Sequence, residues 1–433
     1  MAAPAVEREQ SLGHGTYTLV VFAAPMLVSA IIEATLAIVS DRVPRRHFIV
    51  GGLLVLAAAL LVCAAAPSAW LLSAALAIAG AASGAACGAA QAELITEHQG
   101  AADKAMSRWT IFAAVGDVVT PLVVAATLSV GLSYRGALVA IALVLVGQAA
   151  AVVRRSAPTA VPRRAAGTAA TTGAAANAAG GAAADAAACA AGGAAADAAA
   201  CVADGAAADA AASAAGGAAA SAEVDATETD DEDAPPAPLK EVLSQGLRRG
   251  RLWAWLLGAA FCGLLDEIAA ALTSLRLRVD LGASEALAAA CLAAFSSGSV
   301  IGAIATERYV DRVSARSILL GSALICTALL GLVLLAPSPA LVTVALVPLG
   351  ASVAPHYALA KARAYAAVPD RPGLVNAAAQ AFVVLDLGAP LALGLVADRW
   401  GLRAALACLL AQPVAIFVLT LLLERRRDDE AGR

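Results

Sequence analysis

The chain has little charge, few aromatic residues and almost no histidine. Of its 433 residues, 14% are Asp, Glu, Lys or Arg, 4% are aromatic and four are His. Apolar residues make up 61% of the chain, and its mean hydropathy is +0.80. This composition excludes an ordinary soluble globular domain. Because no basic patch is visible, we also expect no nucleic-acid partner.

The chain also lacks the spacings that mark metal, disulfide and catalytic sites. Its eight cysteines are scattered without a C-x-x-C pair, six of them in apolar segments, where cysteine acts as a small hydrophobe. No nucleophile–base set occurs, and the glycines fall inside apolar runs rather than in a phosphate-binding loop after a strand. We therefore expect no metal, no cofactor and no enzymatic activity.

What the chain has is a series of long apolar runs. A bilayer core of about 30 Å needs about 20 apolar residues of helix, and unbroken runs exclude the alternating pattern of a barrel. The sequence therefore predicts an all-α polytopic membrane protein with about eleven spans. These are 16–40, 48–66, 69–95, 108–130, 134–153, 252–274, 283–306, 317–336, 339–361, 376–397 and 402–423.

Short motifs recur at nearly one offset. D-R-V-x-x-R begins at Asp41 and again at Asp311, 270 positions later. D-x-x-x-P begins at Asp117 and at Asp386, 269 positions later. Two related halves built from apolar segments are typical of secondary transporters.

The repeat divides the chain into two bundles and a linker. Residues 1–154 hold five predicted spans, and 239–433 hold six, preceded by a basic amphipathic segment. Residues 155–238 form a low-complexity Ala/Gly/Asp linker that ends in an acidic stretch. This composition favours an expanded, solvated tether; the alternative is a regulatory or partner-binding arm.

The distribution of Lys and Arg predicts the orientation. If the loop at 41–47 is cytoplasmic, 23 of the 29 basic residues face inward, including those of the linker and the C-terminal tail. We therefore expect a multi-pass protein of the cell membrane whose linker and C-terminus are cytoplasmic.

The repeated basic loop resembles the signature loop of the major facilitator superfamily, written G-x-x-x-D-R-x-G-R-R. Ala37 and Pro44 replace the two glycines. The resemblance implies an ion-pair latch at the helix ends that breaks and reforms as the halves rock. The alternative is a loop that only sets topology. The latch candidates are Asp41, Arg42, Arg45, Arg46, Asp311, Arg312 and Arg316.

A second stretch, from Gly116 to Pro121, resembles the G-x-x-x-G-P motif of antiporters in the superfamily, with Thr120 where glycine is usual. Its counterpart in the second half carries Asp386 and Pro390. Both prolines are candidate helix kinks. Asp117 and Asp386 are candidates for proton carriage or substrate contact, or for hydrogen bonding near a helix end.

Other polar residues inside apolar runs are candidates for the substrate or proton pathway, and each could instead be structural. Glu33 lies in the first span, and Asp266 and Glu267 are adjacent in another. His356 and Tyr357, next to Pro355, could line a cavity or form a packed polar pair.

The resemblance implies two helical bundles around a central cavity and transport by alternating access. We expect a monomer that moves a small organic solute across the lipid bilayer, with proton-coupled efflux as the favoured form. Uptake or facilitated diffusion is the alternative within transport. A transporter-like sensor or scaffold is the alternative outside it.

The two halves are unequal. Aligning the repeat places Ser11-Leu12-Gly13 against Asp280-Leu281-Gly282, so the counterpart of span 252–274 would precede Met1. We therefore expect that this chain lacks the first helix of the superfamily pattern, through a misplaced start or a true truncation.

Overall fold

The computed structural model of the protein describes residues 18–98, 100–129, 133–155 and 249–431. The predicted linker and nearly all of the amphipathic segment before the second half lie outside these residues, as does the start of the chain. Regular structure in the described part is helical throughout, with no strand.

The first half contains five helices joined by short loops. Ser68 caps the third of these helices, which begins at Ala69, by accepting a hydrogen bond from the backbone N–H of Leu71. A π-helical turn, Thr18–Ala23, leads directly into the first helix. The helices are α1 (Ala24–Ser40), α2 (Arg45–Ala65), α3 (Ala69–Glu97), α4 (Ala102–Ser129) and α5 (Tyr134–Arg155).

The second half contains six rods, three of them built from more than one helical segment. The single-helix rods are α8 (Glu285–Tyr309), α9 (Ala315–Leu335) and α10 (Pro339–Ala367). The first composite rod joins α6 (Gly250–Gly263), the π-helix Leu264–Ala269 and α7 (Ala270–Val279). The second joins α11 (Pro372–Ala379), the 3-10 turn Gln380–Phe382 and α12 (Val383–Trp400). The third joins α13 (Leu402–Cys408) and α14 (Ala411–Ala431).

Nine helices in the described part are long and apolar enough to cross a membrane. With α4 and the α6–α7 rod, the described part contains eleven helical rods. The predicted fold class, an all-α polytopic membrane protein of two related bundles, is confirmed.

The internal repeat is visible in the helix boundaries. The helices α2 and α9 both have 21 residues, α3 and α10 both have 29, and the starting residues of each pair are 270 positions apart. Ser68 and Ser338 cap α3 and α10 in the same way. Equivalent residues of the two halves can therefore be identified by adding 270.

The loops at 41–44 and 310–314 mark one end of the bundle, here called the loop end. Because the rods alternate in direction, α1, α3, α8 and α10 finish there, and α2, α4, α6, α9 and α11 begin there. A helix rises 1.5 Å per residue, so the number of residues from this end gives the depth of each side chain.

Candidate functional site

A cavity of about 650 Å³ lies between the two halves. The first half contributes residues of α1, α3 and α4, and the second half contributes residues of α6, α8, α10 and the α11–α12 rod. Its polar and charged lining residues are Glu33, Gln91, Thr110, Asp117, Asp266, Ser296, Ser299, Tyr357, Lys361, Asn376, Gln380 and Asp386.

The cavity brings together five of the seven pathway candidates: Glu33, Asp117, Asp266, Tyr357 and Asp386. His356 instead is fully buried, with its Nδ1 3.2 Å from Nε2 of Gln412 on α14. The side chain of Glu267 is not among those that the structure describes.

Three carboxylates lie at the same depth. Asp117, Asp266 and Asp386 follow the first residues of their rods, Ala102, Gly250 and Pro372, by 15, 16 and 14 residues. This places all three about 22 Å from the loop end. We call them the carboxylate level. They come from both halves, so a solute in the cavity would meet acidic groups on two sides.

A second group of polar residues forms the floor of the cavity, about 10 Å from the loop end. The floor consists of Glu33, Lys361 and Gln380. Gln380 Nε2 donates a hydrogen bond of 2.5 Å to Glu33 across the two halves. Lys361, which is 6% exposed, attracts the Glu33 carboxylate electrostatically, and its Nζ lies 5.5 Å from the centre of the Tyr365 ring.

The contribution of Lys361 and Gln380 to the cavity could not be read with certainty from the sequence. The position of Lys361 near the end of an apolar run favours a cation of the interface or of lipid headgroups, whereas the structure places it in the cavity lining. Gln380 is one amide among many polar side chains. The only available signal was the cost of an intramembrane charge, which usually indicates a functional partner.

A buried network of neutral side chains lies beside the floor. The Tyr365 hydroxyl donates a hydrogen bond of 2.6 Å to Asn376 Oδ1 and also lies 3.0 Å from Gln91 Oε1. Asn376 Nδ2 donates to the carbonyl of Gly88 at 2.9 Å. Because Gln91 and Gly88 belong to the first half, this network joins the two halves below the cavity.

Asp41 makes a further contact between the halves. Its carboxylate accepts hydrogen bonds from the backbone N–H groups of Gly373 and Leu374, at 2.9 and 3.1 Å, at the start of α11. A carboxylate at a helix N-terminus satisfies N–H groups that have no partner within the helix. Burial raises the pKa of Asp41, while these hydrogen bonds and the nearby Arg45 oppose the shift.

Asp311 makes the equivalent contact from the second half to the first. Its carboxylate lies 2.5 Å from Lys104 Nζ near the start of α4. Asp41 and Asp311 are 270 positions apart, and so are Lys104 and Leu374. Each aspartate of the repeated loop therefore reaches the same position in the other half.

Two more ion pairs join the halves near the loop end. Arg108 lies 3.1 Å from Glu307, and Arg363 lies 3.6 Å from Asp103. The four contacts made by Asp41, Asp311, Glu307 and Asp103 are here called the latch.

The basic residues of the repeated loops have different surroundings. Arg45 donates to Ala92 O at 3.0 Å and Thr96 Oγ1 at 2.7 Å on α3, and Arg46 donates to Val153 O at 3.1 Å on α5. These bonds hold the first loop to its own half. Arg42 and Arg312 are exposed, and Arg316 is half-buried at the start of α9.

The two prolines predicted as helix kinks, Pro121 and Pro390, lie at different places relative to the helix boundaries. Pro121 falls within α4, and its side chain is not described. Pro390 lies inside α12, whereas the change of helix type in that rod comes earlier, at Gln380–Phe382. In α10, Pro348 and Pro355 also lie inside the helix.

A second cavity of about 830 Å³ lies at the loop end, separated from the central cavity by the latch. Its lining includes the latch residues Asp103, Lys104, Asp311 and Arg363. The central cavity is therefore closed toward the loop end by the floor, the Tyr365 network and the latch. Within the described residues, no group of three or more His, Cys, Asp or Glu side chains could hold a metal ion.

The family model described as Major Facilitator Superfamily matches residues 1–385, most of the chain. The chain belongs to the major facilitator superfamily. The predicted family is thereby confirmed. Membership makes the chain a multi-pass membrane transporter rather than an enzyme, with a small molecule as its substrate. No curated protein matches the sequence.

Solved structures of the superfamily share the fold at low sequence identity. FucP in the outward conformation is 15% identical, with a TM-score of 0.56, over 97% of this chain and 93% of that chain. A variant of the Escherichia coli fucose:proton symporter FucP is 15% identical, with a TM-score of 0.57, over 94% and 90%. The human organic anion transporter MFSD10 is 17% identical, with a TM-score of 0.55, over 93% and 83%.

Proposed function

We propose that this chain is a proton-coupled secondary transporter that moves a small organic solute by alternating access. The observation that carries the proposal is the central cavity: acidic side chains from both halves line it, and contacts between the halves close it at one end. A solute site between two halves that can separate at either end is the arrangement that alternating access requires.

The latch supports the conformational part of the proposal. Its contacts are a few polar pairs, so breaking these pairs themselves costs only a few kcal/mol in total. Separation at the latch would open the central cavity toward the loop end. The repeated loop would thus bias one state of the cycle without touching the solute.

The carboxylates support proton coupling. An intramembrane acid that faces a cavity can exchange a proton with water, and its charge then changes the energy of closing the cavity around it. Glu33 has two partners in the other half, Gln380 and Lys361, so protonation of Glu33 would weaken contacts between the halves.

We propose efflux as the direction, because the stretch from Gly116 to Pro121 resembles a motif of antiporters. Uptake is the second candidate, since one structural neighbour is a fucose:proton symporter. In both cases we place the protein in the cell membrane as a monomer. The loop end, the linker and the C-terminus then face the cytoplasm, as the Lys and Arg distribution predicts.

The test uses the full chain in proteoliposomes that contain a pH-sensitive dye. Addition of a panel of metabolites and drugs should produce proton movement with at least one solute, and its direction distinguishes antiport from symport. The substitutions Asp117→Asn, Asp266→Asn and Asp386→Asn are compared with Asp398→Asn, an exposed acid on α12 away from the cavity.

We expect neutralisation of the true proton carrier to abolish gradient-driven flux but to spare exchange of solute for solute. Unchanged gradient-driven flux in all three cavity variants would show that no proton path runs through the carboxylate level. Absence of any flux from a correctly inserted chain would favour the sensor or scaffold hypothesis.

A further inference from the structure

We propose that the floor of the central cavity binds the head group of an α-amino acid, which carries a carboxylate and an ammonium group on one carbon atom. Lys361 holds the carboxylate, and Glu33 holds the ammonium group. The inference rests on the proposed function, because it takes the central cavity as the path of the solute. It adds the chemical class of the solute to that function.

Lys361 is a buried cation whose hydrogen-bond donors have no acceptor in the described part of the chain. It is 6% exposed, and it is the one cation among the described residues that line the central cavity. Its ammonium group carries three N–H donors. Within the described residues, none accepts a hydrogen bond from Lys361 and none forms an ion pair with it. Because unsatisfied donors of a buried charge are costly, this position favours a ligand that supplies an acceptor.

The surroundings of Lys361 leave its donors available on the cavity side. Its Nζ lies 5.5 Å from the centre of the Tyr365 ring, and Tyr365 is one helical turn nearer to the loop end. An aromatic ring attracts a cation electrostatically but is a weak hydrogen-bond acceptor. The ring therefore covers the ammonium group toward the loop end, while an acceptor can approach it from the cavity.

Glu33 supplies the opposite charge at the same depth. It precedes the end of α1 by seven residues, and Lys361 precedes the end of α10 by six, so both lie about 10 Å from the loop end. The two groups attract each other electrostatically, but they form no ion pair with nitrogen and oxygen within 4.0 Å. Gln380 donates a hydrogen bond to one oxygen of Glu33. The two opposite charges therefore face one cavity without satisfying each other.

A zwitterionic head group complements this pair of charges. Its carboxylate would accept charge-assisted hydrogen bonds from Lys361, and the adjacent ammonium group would be attracted to the Glu33 carboxylate. A solute with the carboxylate alone would be repelled by Glu33, and a solute with the amine alone would be repelled by Lys361. Such rejection of the wrong charge is how a site achieves specificity.

The cavity beyond the floor suits the apolar side chain of an amino acid. Ala113, Ala259 and Ala260 line it between the floor and the carboxylate level, where their small side chains leave room. The carboxylate level lies about 12 Å farther along the helices, and both Asp266 and Asp386 have interaction partners of their own. Because a zwitterion has no net charge, its binding on the floor does not require a cation site at that level.

The test measures binding, so it does not depend on transport. The full chain in detergent at neutral pH is heated with phenylalanine, with hydrocinnamate, which lacks only the amine, or with phenethylamine, which lacks only the carboxylate. A second set, leucine, isocaproate and isoamylamine, repeats the comparison with a branched aliphatic side chain. In at least one set, we expect the amino acid to raise the melting temperature more than either partial compound does. If neither amino acid exceeds both of its partial compounds, the proposal is overturned.

Substitutions assign the two charges. Lys361→Met removes the ammonium group and keeps an unbranched apolar stem, so the variant should no longer prefer the amino acid over its amine. Glu33→Gln removes the charge and keeps an acceptor for Gln380, so this variant should no longer prefer the amino acid over its carboxylate compound. Each should weaken the apparent affinity for the amino acid by roughly tenfold. A purely structural role would weaken all three compounds alike and would overturn the assignment.

Arg399→Met is the matched control. Arg399 also lies over an aromatic ring, 5.8 Å from the centre of Trp400, but it is exposed and outside the lining of the central cavity. This variant should bind all compounds as the parent does. Parent-like preferences in both Lys361→Met and Glu33→Gln would overturn the proposal.

The outcome is separable from that of the proposed function. Selective binding of the amino acid without proton movement in proteoliposomes would support the head-group site and contradict proton-coupled transport. Proton-coupled flux driven only by solutes without this head group would support transport and contradict the head-group site.

Discussion

Gly373 donates its backbone N–H to the Asp41 carboxylate at 2.9 Å and leaves no space for a side chain of its own. A Cβ atom at this position would overlap the carbonyl oxygen of Ala37, and it would lie 2.7 Å from the Asp41 carboxylate. The start of α11 therefore meets the end of α1 backbone to backbone. The latch depends on glycine at this position because a backbone carbonyl cannot move aside as a side chain can.

Gly373→Ala should force the two halves apart at the loop end. We expect the variant to favour the conformation that is open there and to lose about 1–3 kcal/mol of stability, as overpacking usually costs. The measurement is thermal unfolding together with accessibility of the cavity from the loop end. Gly394→Ala, on α12 with no atom near its new methyl group, is the matched control. Equal behaviour of the two variants would contradict the close contact.

Asp41 should make stability depend on pH. Burial raises the pKa of its carboxyl group above the ordinary value of 3.8, so the folded chain holds this proton to higher pH than the unfolded chain does. The resulting stabilisation is present below that ordinary value and is lost as pH rises through the raised pKa.

The measurement for Asp41 is the melting temperature of the parent and of Asp41→Asn from about pH 7 down to about pH 4. As the pH falls, the parent should gain stability relative to the variant, which has no proton to bind at this position. A melting temperature of the parent that stays constant or falls relative to that of the variant toward low pH would contradict the buried carboxyl group.

The ion pairs of the latch should differ in strength. Arg108 and Glu307 have side chains 33% and 21% exposed, whereas Lys104 and Asp311 are 32% and 54% exposed. Because exposure screens a charge pair, a double-mutant cycle with alanine should give about 1 kcal/mol for the first pair and about 0.3 kcal/mol for the second. The measurement is the free energy of chemical unfolding. A reversed order would show that burial does not set the strength of these pairs.

Gly84→Ala should damage function more than stability. A methyl group at Gly84 would overlap the Glu33 carboxylate, which is the end of a flexible side chain and can swing away. The expected cost to unfolding is below about 1 kcal/mol, but Glu33 should lose its hydrogen bond to Gln380.

The test of Gly84→Ala is proton-coupled flux compared with that of Gly147→Ala, which has no atom within 4 Å of the added methyl group. Flux should fall several-fold in the first variant and stay at the parent level in the second. Parent-like flux in Gly84→Ala would show that the position of Glu33 does not matter for transport.

Much of the fold could be predicted from the sequence because the bilayer imposes one requirement on every span. Each run needed about 20 apolar residues, and the repeated D-R-V-x-x-R loops fixed the relation between the halves. The acids Glu33, Asp117, Asp266 and Asp386, which line the cavity, could be selected as candidates because a carboxylate in an apolar run is costly.

The partners of these residues could not be predicted. The contact of Asp41 is with backbone N–H groups, which leave no signature in side-chain identity. His356 resembled a cavity residue by its neighbours, yet it faces Gln412 because adjacent residues on a helix point about 100° apart. Lys361 could be placed in the cavity only once α10 was seen to pack against α4, α6 and α8.

The central claim, that the cavity opens alternately to the two sides of the membrane, can be tested without knowing the solute. Cys87 lines the central cavity, so a variant that keeps only this cysteine can be labelled in proteoliposomes by a membrane-impermeant thiol reagent. Alternating access predicts that Cys87 reacts from both sides, and that Gly373→Ala increases the labelling from the loop end. Labelling from one side only, in the parent and in Gly373→Ala alike, would contradict the account.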